Sequence, residues 1–263
     1  MNIVITGSSK GIGFGMAREL VKRGHNVFVS SRRADAVDNA VAALNGIGPG
    51  KAAGLAADVF DIAQVRAVWD AAAKAFGSVD AWVNNAGITN LSRKLHEVPD
   101  EHIVNVVNTN VIGLMNGCKV AIAGMLAQGK GKLFNMEGFG SDGITGIGLV
   151  PYGATKYAVR YITKALIKEY KDTPLVIAYL SPGIVTTEFV TKDLYGGDAA
   201  ALEKRKKFLN MVADREEDVT PFLAEGILRI SKSGEAARWL TTGKFITRLI
   251  AALFKKRDPF AAG

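Results

Sequence analysis

Short apolar runs alternate along this chain with stretches in which apolar residues recur every three or four positions. Asn2 to Thr6 (NIVIT), Asn26 to Ser31 (NVFVSS), Ala52 to Ala56, Val79 to Val83, a run opening at Leu133 and Phe134, and Leu175 to Leu180 read as strands. They are too uniformly apolar for one face to meet water. Between them a helical period runs through Ile12, Met16, Leu20 and Val21, through Asp35 to Leu44 and Ile62 to Phe76, and along one long helix from Pro99 to Gln128. This alternation predicts an α/β architecture: a doubly wound parallel sheet with right-handed crossovers. The 263 residues suit a single domain spanning 1–263. Beyond the sixth strand the pattern loosens. Lys192 to Val219 is charged and irregular and reads as a mobile substrate lid within 187–220. Leu223 to Ile230 returns to helix, Ala236 to Leu240 is a seventh strand, and an amphipathic helix lies in the C-terminal stretch 241–257.

Composition narrows the class. A hydrophobic content of 48% with 29 glycines indicates a globular chain with many tight turns. The single cysteine, Cys118, cannot form an internal disulfide, which fits a reducing compartment and a buried, inert thiol. The chain opens directly on a strand, without a charged leader, and no 18 apolar residues run uninterrupted. The expectation is a cytoplasmic protein that at most touches a membrane peripherally. The net charge of +8 concentrates near Lys10, Arg32 and Arg33, in Glu203 to Lys207 (EKRKK), and at Lys255, Lys256 and Arg257. No nucleic-acid module accompanies these clusters, so an anionic cofactor is the better reading; no metal site is expected.

The candidate chemistry sits at strand ends. After the first strand, Gly7 to Gly13 (GSSKGIG) opens a helix, and its glycines let a phosphate approach backbone N–H groups around Ser9, Lys10, Gly11, Ile12 and Gly13. At the end of the second strand an acid would hold a ribose 2′-hydroxyl. Ser31, Arg32 and Arg33 stand there instead, with Lys10 in reach, which favours a 2′-phosphate and hence NADP(H). Asp58 and Val59 can approach the adenine, and Asn85, Ala86 and Gly87 let the backbone pack on the dinucleotide. Pro182, Gly183, Ile184, Val185 and Thr187 offer groups to a carboxamide. Tyr152 and Lys156, one helical turn apart, can point into one cleft, where the ammonium is expected to draw the phenol towards a usable pKa. Gly124 to Lys130 (GMLAQGK) nearly spells a phosphate loop, but Gly131 replaces the required hydroxyl and the segment runs from helix to strand.

These motifs, in this order up to about Ile230, resemble the short-chain dehydrogenase/reductases, which have a Rossmann-type fold. The resemblance implies that Tyr152 protonates a substrate carbonyl, that Lys156 binds the cofactor ribose and lowers the tyrosine pKa, and that Asn110 holds a relay water. One motif departs. The family usually ends its fifth strand in Asn-x-Ser-Ser, and this chain reads Asn135-Met136-Glu137-Gly138. Ser141, the serine left in a loop made supple by Gly138, Gly140 and Gly143, is assigned the missing role. FNMEGFGSDG followed by VPYGATKYAVR is similar to the chlorophyll b reductase branch, as are VDAWVNNAG and VVNTNVIGLM. That likeness implies NADPH-driven reduction of a large hydrophobic carbonyl, such as the 7-formyl group of chlorophyll b, by a homodimer or homotetramer. A steroid, retinoid or acyl-thioester reductase and a non-catalytic NADP(H) sensor are the alternatives.

In the tail, Phe245, Ile246, Leu249, Ile250, Leu253 and Phe254 form one helical stripe, with Lys244, Arg248, Lys255, Lys256 and Arg257 off it or at its end. Such a stripe packs on the domain or a neighbouring subunit, or dips into lipid while its cations meet anionic headgroups.

Overall fold

The computed structural model describes residues 1–190, 199–252 and 258–260, with Ala201 and Leu202 as backbone alone. Among them, seven parallel strands form one sheet: β1 (Asn2–Thr6), β2 (Asn26–Ser31), β3 (Ala52–Ala56), β4 (Ala81–Asn84), β5 (Gly131–Met136), β6 (Leu175–Ser181) and β7 (Ala236–Arg238). Their spatial order is β3-β2-β1-β4-β5-β6-β7. Helices α1 (Gly11–Lys22), α2 (Ala34–Leu44) and α8 (Glu216–Arg229) cover one face, and α3 (Ile62–Phe76), α5 (Gly113–Gln128) and α6 (Val150–Glu169) the other. Successive strand residues feed opposite layers. Ile3, Ile5, Phe134, Met136 and Leu180 enter the first, and Val4, Phe28, Trp82, Leu133 and Ile177 the second. Both faces are buried, which is why the strands lack a polar alternation. Cys118 lies in the second layer, and burial pushes its thiol up to about 12, as befits an inert group.

The structure corrects five stretches, the briefest being the seventh strand, which ends at Arg238 rather than Leu240. The fourth strand pairs over Ala81–Asn84 rather than from Val79. The helix read over Pro99 to Gln128 is α4 (Asp100–Val107), a π-helical turn over Asn108–Ile112, and then α5. The wider turn carries Asn110 inward, to 2% exposure, where an asparagine in a regular helix would be a liability. By length and composition the whole span could cross a membrane, but α5 packs on α3, β4 and β5 as a core helix.

The region read as an irregular lid holds α7 (Ala199–Val212) and the start of α8. Ala, Leu, Glu, Lys and Arg dominate α7 and are strong helix formers, so its charges signalled a solvated helix rather than a loop. Pro221 lies inside α8 and hid its start, whose first turn carries Glu216, Glu217 and Asp218 in keeping with the helix dipole. Residues 191–198 of the expected lid lie outside the described residues. The final helix, α9 (Thr242–Ala251), is capped by Thr241, whose Oγ1 accepts from the Lys244 N–H at 3.2 Å. Leu253 to Arg257 of the tail stripe also lie outside.

Candidate active site

The chain runs from β1 out to β3 and then returns across β1 to β4, so connections leave the ends of β1 and β4 on opposite faces and open a crevice there. Its floor is backbone packed on backbone. Gly7 adopts φ +64°, and a Cβ on it would lie 2.7 Å from Ala86 Cα. A Cβ on Gly13 would lie 2.5 Å from Gly7 O and 2.6 Å from Asn85 Nδ2. Asn85 Nδ2 donates to Thr6 O at 2.9 Å and Gly7 O at 3.0 Å, while Thr6 Oγ1 accepts from the N–H groups of Asn85 and Ala86, each at 3.1 Å.

α1 begins with no side-chain cap and no acid in its first turn, so its first N–H groups and the positive end of its dipole remain for an anion. Ser9 Oγ donates to Ser31 Oγ at 2.9 Å, tying the glycine loop to the end of β2. Of the nearby cations, Lys10 pairs with Glu188 across the cleft at 2.7 Å, Arg33 pairs with Asp35, and Arg32 has no ion pair among the described residues. Asp58 Oδ1 accepts from the Phe60 N–H at 3.0 Å, fixing the turn that brings Asp58 and Val59 to the cleft wall.

The reactive pair stands where β5 gives way to α6. Tyr152 and Lys156 are 8% and 6% exposed, and Lys156 Nζ donates to Met136 O at 3.1 Å while lying 5.8 Å from the tyrosine ring centroid. Burial governs both groups. It raises the Tyr152 phenol above its ordinary value rather than letting the lysine lower it, and it depresses the Lys156 ammonium to about 8. Glu137, 3% exposed between the Nε atoms of Arg160 and Arg238, each 3.6 Å away, opposes the depression of Lys156 by its negative charge.

Gly138 occupies the place of the family's second serine, and a Cβ there would lie 2.5 Å from Tyr152 Oη. The phenol thus sits close against bare backbone. Ser141 does not supply the missing hydroxyl to the cleft. Its Oγ accepts from the Gly138 N–H at 3.0 Å, closing the turn, and it is absent from the lining. Asn110 lies behind the wall. Its Oδ1 accepts from the Ile88 N–H at 2.8 Å, and its Nδ2 donates to Ile88 O at 2.9 Å and Thr155 Oγ1 at 3.0 Å, locking the β4 loop to α6.

All the other expected cofactor residues, with Tyr152 and Lys156, line one cleft of about 1030 Å³. The sequence reading missed Asn90, fully buried, whose Oδ1 accepts from the Tyr152 N–H at 3.1 Å and so orients the head of α6. It also missed the apolar wall of Phe139, Ile147, Leu149, Phe189 and Phe208. Phe189 stacks at a tilt on Tyr152, ring centroids 5.5 Å apart. Phe139 between Gly138 and Gly140 after β5 was the one available signal, whereas nothing local marks Asn90.

The segment after β6 is fastened from the tail. Asp214 pairs by backbone with Ile184 and Thr186, and its buried carboxylate takes Arg248 in a two-pronged pair at 2.6 and 2.7 Å and Trp239 Nε1 at 2.6 Å. Thr186 Oγ1 lies 3.2 Å from Asp214 O and 3.1 Å from Pro259 O.

A dinucleotide fits what is present: an uncapped helix start, glycines that leave no room for side chains, and cations at the end of β2. Residues 1–195 match the model of the short chain dehydrogenase family. The chain is 38% identical over 259 residues to "Chlorophyll(ide) b reductase NOL, chloroplastic" of Arabidopsis thaliana, covering 95% of this chain and 73% of that one. Two solved structures, each 26% identical, superpose well. A serine dehydrogenase complexed with NADP+ gives a TM-score of 0.74 over 88% of this chain and 93% of its own. A 3-ketoacyl-(acyl-carrier-protein) reductase from Brucella melitensis complexed with NADH gives 0.75 over 89% and 95%. With the Tyr152 and Lys156 pair set over a glycine cradle, these matches identify the chain as an oxidoreductase of the short-chain dehydrogenase/reductase family.

Proposed function

We propose that this enzyme uses NADPH to reduce the carbonyl of a large hydrophobic aldehyde, with the formyl group of a chlorophyll b-like tetrapyrrole as its substrate class. The observation that carries the reading is the placement of Tyr152: a phenol kept protonated by burial, at the foot of a wall of Phe139, Ile147, Leu149, Phe189 and Phe208. A protonated phenol is the form that serves reduction. The wall suits a flat apolar body, and the likeness to the plant reductase supports a tetrapyrrole. NADPH is favoured because no acid stands at the end of β2 and Arg32 has no ion pair among the described residues.

When bound, the nicotinamide supplies the hydride to the carbonyl carbon, and the π electrons of the C=O bond move to oxygen. Tyr152 Oη gives that oxygen its proton, so aldehyde, NADPH and one proton yield alcohol and NADP+. Lys156, held at Met136 O, keeps further N–H donors for ribose hydroxyls. The Gly138 backbone lets the phenol approach without an intervening side chain.

The test is loss of NADPH absorbance with chlorophyll b in detergent and with a panel of ketones and aldehydes, products being separated by chromatography. Formation of the hydroxymethyl pigment supports the reading. Tight NADPH binding without turnover of any member would instead leave a nicotinamide sensor.

A further inference from the structure

We infer that the outer face of α9, together with the adjoining α7, is a docking surface for an anionic lipid bilayer, set at the mouth of the active-site cleft. In an ordinary surface helix the apolar stripe faces the protein and the charges face water. α9 is turned the other way. Lys244 lies over the Trp239 ring, 3.1 Å from its centroid, and Arg248 is spent on Asp214. Ile246, Leu249 and Ile250 point outward at 50%, 36% and 55% exposure. Of the expected alternatives, packing on the domain does not hold for these three residues, which leaves a neighbouring subunit or lipid. No charged side chain on the described part of α9 shares their face.

α7 packs against α9 and carries exposed Lys204, Arg205 and Lys207, with Phe208 at 45% exposure; Glu203 offsets only Lys206, 3.5 Å away. An apolar strip flanked by cations with no ion pair among the described residues matches the acyl boundary and headgroups of an anionic leaflet. A second copy of this chain is the poorer occupant, because an isologous contact sets Lys204, Arg205 and Lys207 against their own counterparts. The position is also apt. Arg205, Phe208 and Leu209 line the cleft, so a docked protein opens towards lipid and can take a membrane-dissolved substrate without its passage through water.

The experiment is sedimentation of the full chain with phosphatidylcholine vesicles made with or without phosphatidylglycerol, at rising salt. Anionic vesicles should pellet the protein, and salt should weaken the binding. The pair Ile246→Asp and Ile250→Asp should weaken it at least about tenfold while melting temperature, NADPH binding and turnover of a water-soluble aldehyde stay unchanged. Lys204→Glu with Lys207→Glu should erase the preference for anionic vesicles. Failure to pellet overturns the inference, as does pelleting that both variants leave intact. So does a dimer in solution that Ile250→Asp breaks while vesicles are ignored. None of these outcomes depends on which aldehyde the enzyme reduces.

Discussion

The two halves of the cleft are built by different means. On the cofactor side the wall is backbone: Gly7 against Ala86, Gly13 against Gly7, and hydrogen bonds from Asn85 and Ala86 that close the gaps. On the substrate side it is side chains, Phe139, Phe189 and Phe208, mounted on a glycine-rich loop, on the segment after β6 and on α7. Backbone packed to contact leaves no room for a methyl group, whereas aromatic walls can be exchanged for others of similar volume. Cofactor recognition is therefore the rigid property of this fold and substrate choice the adjustable one. Tyr152 stands at the seam.

The contrast can be broken hardest at that seam. Tyr152→Phe keeps the ring and removes the proton, so turnover should fall by roughly 10² or more with NADPH affinity unchanged. A matching loss of affinity, measured by fluorescence titration, would show that the phenol belongs to the cofactor half instead. Gly138→Ser restores the family's serine, yet its Cβ falls 2.5 Å from Tyr152 Oη. Displacing the phenol should lower kcat by roughly ten- to a hundredfold, and a faster enzyme would mean that the tyrosine yields at no expense.

Next in size is Arg32→Asp, which should weaken NADPH by about tenfold and improve NADH; unaltered selectivity in steady-state kinetics would move the 2′-phosphate elsewhere.

Lys156 tests the seam by pH. Its folded value of about 8 lies below the ordinary 10.5, so between these limits the unfolded chain holds more protons than the folded one. Stability of the unliganded protein should rise from pH 8 to the ordinary thiol value of 9.0 by up to about 1.4 kcal/mol per unit. Above pH 9.0 the raised Cys118 thiol opposes this, and above 10.0 the raised Tyr152 phenol does as well. Urea melts of the wild type should show the slope, and Lys156→Met should lack it.

The smallest effect belongs to Ser141→Ala, which loses one turn hydrogen bond, about 1 kcal/mol. Turnover should fall by less than about tenfold; a hundredfold fall would put that hydroxyl back at the substrate oxygen.

The same division explains what could be read in advance. The glycine turn, the paired Tyr152 and Lys156 and the strand ends carry their message in consecutive residues, because backbone geometry is a local property. The structure brings those residues to one cleft. Asn90 and the head of α6 are some sixty positions apart, joined by one hydrogen bond that no local pattern announces. The π turn at Asn110 packs on α6 and is tied to Ile88 and Thr155, contacts distant in sequence, and a helical period drifts through it unnoticed. Ser141 was placed by composition of a loop, and glycines permit many closures. α9 left its partner open for a different reason. Amphipathicity reports that a helix has two faces without saying which one the domain takes, and here Asp214 took the charged one.

That choice has a consequence in time. Thr186 is made more than fifty residues before Trp239 and Arg248, which fasten its neighbourhood through Asp214, and before Pro259, whose carbonyl meets the Thr186 hydroxyl directly. During synthesis the nucleotide-binding wall can assemble early, but the segment facing it stays slack until those later residues arrive. A ribosome that stalls, or a protease that clips after Thr241, leaves Asp214 a buried carboxylate without its guanidinium, a state several kcal/mol above the finished one by roughly the magnitude known for broken buried pairs.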